Sequence, residues 1–85
     1  MKILKVYDNN GKTFDRYTIM FDSFSISAVS GAKYYDGLGL SFNPNSPQGF
    51  SQWGTVKPGD HLGTEIDFHS LPVEIQDHVN KRLQE

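Results

Sequence analysis

The chain has 85 residues, a formal net charge of −2, 13% aromatic side chains and no cysteine. One domain spanning residues 1–85 with a modest core is all that this length supports, and the missing thiols exclude a disulfide scaffold, a thiolate metal site and a cysteine nucleophile. Lysines and arginines are scattered, so direct nucleic-acid binding through phosphates is not expected; no segment has the length or flanks of a signal peptide or a membrane span, which predicts a cytoplasmic protein with no membrane partner.

Lys2–Tyr7 reads as a short strand, Asp8-Asn9-Asn10-Gly11 as a turn and Lys12–Phe21 as a second strand, together a hairpin. A three-residue loop with Gly11 left-handed sets Lys5 opposite Asp15 and Val6 opposite Phe14, which avoids the like-charge pair Lys5–Arg16 of the shorter loop. Phe24–Val29 alternates Phe24, Ile26 and Ala28 against serines, the pattern of a half-buried strand. Tyr34–Phe42 follows, with Leu38, Leu40 and Phe42 on one face and Gly37, Gly39 and Ser41 on the other. Two glycines at alternate strand positions predict a bulge or a close approach by backbone, ring or ligand.

Gly37–Gly54 reads GLGLSFNPNSPQGFSQWG and holds two of the four prolines and the only tryptophan. Pro44 and Pro47 remove backbone donors and bias the residues before them away from helical dihedrals. Asn43–Trp53 is therefore expected to be an ordered, shaped loop. Its carboxamides, hydroxyls and aromatics suit neutral hydrogen-bonding recognition better than acid–base chemistry.

Lys57–Asp60 suits a type II turn centred on Pro58 and Gly59, and Leu62, Thr64, Ile66 and Phe68 alternate against polar neighbours as an amphipathic strand. Ser70 is the expected N-cap of a closing helix with Pro72 in its first turn. Leu71, Ile75, Val79 and Leu83 recur every four residues as one apolar stripe, so the helix must dock on the sheet. The fold class is α+β: a small, mainly antiparallel sheet of four or five strands with one C-terminal helix packed on it.

His61, His69 and His78 match no metal-ligand spacing, and no nucleophile elbow or phosphate-binding fingerprint is present. No catalytic residue, metal site or cofactor is predicted. In DRYT, Asp15–Thr18, alternation puts Arg16 and Thr18 on one strand face, a cationic fork beside a hydroxyl that can hold a phosphate or carboxylate; the competing reading is a structural ion pair for Arg16. The ligand- or partner-binding set is accordingly Arg16, Thr18, Asn43, Asn45, Ser46, Gln48, Gln52 and Trp53, with Tyr35 or Trp53 available to stack on a base.

DRYT, GLSFNPNSPQGFSQWG, and the HLG and LP strings before the closing helix resemble a family of small uncharacterised proteins of bacteriophages, prophages and other mobile elements. The resemblance implies an accessory protein of a mobile element in a host cytoplasm, of the kind that antagonises host defence by binding a protein complex or sequestering a nucleotide-like ligand. A non-enzymatic binding module is the expectation. The alternative is a small hydrolase or transferase that uses Asp15, Arg16, His61 or His69 near the 43–53 loop. Sheet edges in so small a chain also raise a homodimer.

Overall fold

A computed structural model describes residues 2–12, 16–41 and 51–84. Five strands, β1 (Ile3–Asp8), β2 (Tyr17–Ile26), β3 (Lys33–Leu40), β4 (Ser51–Val56) and β5 (Thr64–Ile66), form one antiparallel sheet in the order β4-β3-β2-β1-β5, and a C-terminal helix, α1 (Val73–Leu83), closes the chain. This is the small α+β architecture that the strand alternation and the four-residue stripe predict.

The core lies between α1 and one face of the sheet. Strand partners Val6–Ile19–Leu38 and Tyr17–Leu40 face the helix, where they bury with Phe21, Leu71, Ile75 and Val79. The stripe at four-residue spacing thus finds its partner: Leu71, Ile75 and Val79 are at most 3% exposed, and Leu83 packs against them. Burial of each such side chain is worth roughly 1.5–3 kcal/mol, so docking and not intrinsic propensity sustains a helix this short.

Several local expectations are corrected. The β1–β2 register sets Lys5 opposite Met20 and Val6 opposite Ile19, not Asp15 and Phe14. A one-residue slip would turn Val6 away from the core, so the apolar pattern fixes the register and the local turn follows it. The turn itself is where expected: Asn10 (φ 60°) and Gly11 (φ 82°) are left-handed, and the Asn9 carboxamide accepts from the amides of Gly11 and Lys12. β2 is one strand to Ile26, with an irregularity between Met20 and Phe24. β1 begins at Ile3, opposite Phe21, with one further bond from the Asp22 amide to the Lys2 carbonyl; from Phe24 onward β2 pairs with β3 alone, and Phe24 and Ile26 are exposed instead of half-buried.

Part of the expected loop is a strand, since Ser51–Val56 pairs with the whole of Tyr35–Leu40. β5 is only three residues long; Leu62 and Phe68 lie in 3-10 turns at Asp60–Leu62 and Phe68–Ser70. Gly59 is extended (φ 166°), which rules out the type II turn at Pro58-Gly59. The helix begins after Pro72, not Ser70. A second 3-10 turn consumes Ser70, and the Gln76 side chain instead donates to the carbonyls of His69 and Leu71.

Candidate functional site

β4 and β5 occupy opposite edges of the sheet, so the connection from Lys57 to Gly63 must pass β3, β2 and β1. Four inter-strand steps are about 19 Å along a flat sheet, and a seven-residue segment reaches about 24 Å at full extension. Little slack remains. The segment therefore lies close to the sheet, and it does so on the face away from α1, where Lys57, His61 and Leu62 share a cleft with Thr18, Gly37 and Gly39.

Two cross-strand rows build that face: Tyr7–Thr18–Gly39–Gln52 and Lys5–Met20–Gly37–Gly54. The glycines clear the space. A Cβ at Gly37 would stand 2.1 Å from Val56 Cγ2 and 3.1 Å from the Ile19 carbonyl oxygen, so the close approach that the glycine alternation predicts is made by the Val56 side chain. Met20 and Val56 are buried here, at 2% and 8% exposure, apart from the helix-side core. Gly63 (φ 93°) pins the far end, because a Cβ there would meet the Asp8 carbonyl oxygen at 2.3 Å.

The result is a cleft of about 250 Å³ lined by Thr18, Gly37, Gly39, Gln52, Trp53, Gly54, Thr55, Val56, Lys57, His61 and Leu62. Its floor is glycine backbone, with the Val56 side chain lying over Gly37. Hydroxyl and carboxamide groups come from Thr18 and Gln52, Thr55 like Trp53 contributes backbone because alternation turns its side chain to the helix side, and the basic residues Lys57 and His61 stand in the wall. No aspartate or glutamate is among these lining residues.

Of the residues singled out from sequence, Thr18, Gln52 and Trp53 meet in this cleft. The Trp53 ring faces the other way, however: it stacks on Phe21 at 5.5 Å between centroids, and the Arg82 guanidinium lies 5.5 Å from its centre. Strand alternation thus leaves its backbone, not its ring, to the cleft. Arg16 is elsewhere, at the end of the sheet. Its Nε and Nη2 donate to Asp8 Oδ1 and Oδ2 at 2.9 and 3.2 Å, and its guanidinium stands 5.3 Å from the Tyr17 ring centre. That bidentate bond lowers the Asp8 pKa and raises that of Arg16. The amide of Asn9 also bonds the Arg16 carbonyl at 3.0 Å, so the pair closes the hairpin connection. Asn43, Asn45, Ser46 and Gln48 lie outside the described residues.

Sequence reasoning missed Lys57 and Val56 as site residues, and it considered His61 only for metal or acid–base work. The available signal was the Gly37/Gly39 alternation, which announces that something must lie on that face. The histidines serve three surroundings: His61 in the cleft, His69 exposed with Nδ1 3.7 Å from Asp67, and His78 with Nε2 2.6 Å from Ser51 Oγ across the α1–β4 junction. Among the described residues no three His, Asp or Glu side chains gather as a metal site, and none of their helices is long and apolar enough to cross a membrane. The chain matches no protein-family model, no curated protein and no solved structure.

Proposed function

We propose that this chain is a non-enzymatic binding module that holds a small nucleotide-like anion in the cleft on the helix-free face. The observation that carries the reading is the lining: among the described residues it holds two basic residues and no acidic one, in a chain whose acids outnumber its bases by ten to eight. Lys57 supplies charge for a phosphate and His61 a ring nitrogen, Thr18 and Gln52 supply donors and acceptors for polar edges, and Gly54, where a Cβ would meet nothing within 4 Å, lets a flat ring approach the backbone beside the Val56 side chain that covers Gly37. At about 250 Å³ the cleft lies just below the usual range of small-ligand pockets, about 300–1,000 Å³, which limits its occupant to a ligand of mononucleotide size or smaller.

The commitment of the Arg16 fork to Asp8 moves the cationic role to Lys57 and supports binding over a hydrolase or transferase centred on Arg16. The resemblance of the DRYT and GLSFNPNSPQGFSQWG strings to phage and mobile-element proteins extends the proposal to context: in a host cytoplasm, holding a nucleotide-like signal removes it from a defence pathway.

Thermal unfolding with a panel of nucleoside mono- and diphosphates, cyclic nucleotides, free nucleosides and inorganic phosphate tests the reading. A ligand at a hundredfold excess over its Kd stabilises by about 2.7 kcal/mol. Phosphorylated members should raise the Tm more than the nucleosides, and Lys57→Ala should abolish the rise while keeping the unliganded Tm. A panel that leaves the Tm unmoved, or a rise that Lys57→Ala does not alter, contradicts the proposal.

A further inference from the structure

The two sheet edges are built differently. β5 has three residues, and its Glu65 makes an ion pair with Lys5 at 3.6 Å; shortness and charge are devices that discourage further strand pairing. β4 has neither. Its six residues, SQWGTV, include no charge and no proline, and Gln52, Trp53, Gly54 and Thr55 are exposed. Among the described residues no strand pairs with its outer side. A Cβ at Gly54 would meet nothing within 4 Å, so no described neighbour requires a glycine there.

We infer that the outer edge of β4 pairs antiparallel with β4 of a second copy about a twofold axis at Gly54. An axis normal to the sheet keeps each side chain on its own face, so directly opposed residues must share a face. A twofold at any residue of β4 meets that condition, and Gly54 is the position whose glycine no described neighbour explains. Gly54 then opposes the partner's Gly54, Trp53 opposes the partner's Thr55 on the helix side, and Gln52 opposes the partner's Val56 on the cleft side. An aromatic against a β-branched residue is a favourable cross-strand pair, and no like charges meet. A self-pairing strand needs no separate partner sequence, and closed twofold pairing is the commonest arrangement of identical chains.

The pairing brings both helices to one side of a continuous sheet and sets the two clefts next to each other on the opposite side. Gln52 and the partner's Val56 are both cleft residues by position, so each copy extends the wall of the other's site. The pairing stands whether or not the ligand reading does.

Light scattering at micromolar concentration reads the mass, and oxidation of Gly54→Cys reads the register, since the chain has no cysteine of its own and any disulfide must join two copies. The wild type should have the mass of two chains, Gly54→Cys should cross-link to a covalent dimer, and Thr55→Lys should have the mass of one chain with its Tm retained. A wild-type monomer overturns the pairing and would leave the edge open to a strand of a different protein. A dimer that Thr55→Lys leaves intact, or in which Gly54→Cys fails to cross-link, overturns the assignment to β4.

Discussion

Replacing Gly37 with alanine tests how the cleft is made. The new Cβ would lie 2.1 Å from Val56 Cγ2, against a favourable carbon–carbon separation of about 3.5–4.0 Å, so one of the two must move by about 1.5 Å. Val56 has little freedom to yield. It is 8% exposed and branched at Cβ, and on the other side the new methyl is held by the Ile19 carbonyl oxygen at 3.1 Å. Overpacking of this kind costs about 1–3 kcal/mol. The smaller conformational freedom of alanine in the unfolded chain returns about 0.5–1 kcal/mol, which leaves a net loss of about 1–2 kcal/mol. For a domain of this size that lowers the Tm by about 5–15 °C. The assay is urea unfolding followed through the single tryptophan, which stacks on Phe21 and reports loss of the core. A double-mutant cycle isolates the contact: Val56→Ala alone costs about 1.5 kcal/mol, but in the Gly37→Ala background it also removes the clash. The double variant should therefore be more stable than the sum of the singles by about 1 kcal/mol or more. A Gly37→Ala protein as stable as the wild type, or strictly additive losses, would refute the claim that Val56 occupies the space over Gly37.

Three further outcomes follow from the same geometry. The Arg16 hydrogen bonds hold the Asp8 carboxyl below its ordinary value near 3.8; a depressed folded-state pKa contributes stability that is complete above that value and lost as pH falls through the folded one. Asp8→Asn should therefore flatten the fall in Tm below about pH 4, and an unchanged acid limb contradicts the pair's role. Arg16→Ala should lower the Tm and leave the affinity per folded molecule for any phosphorylated ligand unchanged, as titration calorimetry would show; lost affinity at retained stability would return Arg16 to the binding site. Truncation after Ser70 removes Leu71, Ile75 and Val79 from the core, a loss comparable with the whole stability of a small domain. Circular dichroism should show a chain without cooperative unfolding, and a cooperative transition would refute the docking of α1.

The parts of the fold legible in the sequence are those where one strong periodicity acts alone. Leu71, Ile75, Val79 and Leu83 fall on a single helical stripe, and Leu38 and Leu40 alternate with glycines, so α1 and β3 could be read directly. β4 could not. SQWGTV has a glycine, three polar residues and one alternating apolar pair out of step, Trp53 facing the helix and Val56 the cleft, and it acquires strand structure from pairing with β3 more than from its own propensity. The hairpin register escaped for a related reason: turn residues propose a register, but Val6 against Ile19 decides it from the core side. The cleft was half legible, since Gly37 and Gly39 marked the face while its walls at Lys57 and His61 come from a crossover whose path depends on strand order.

The most direct test of the ligand reading is a nitrogen–proton chemical-shift map recorded while the phosphorylated compound that raises the Tm most is titrated in. Binding in the helix-free cleft predicts that the largest changes cluster at Thr18, Gly37, Gly39, Gln52, Gly54, Lys57 and His61, with Ile75, Val79 and the rest of α1 unmoved. Changes centred on α1 or on Asp8 and Arg16, or a map that stays still through the whole titration, would contradict it.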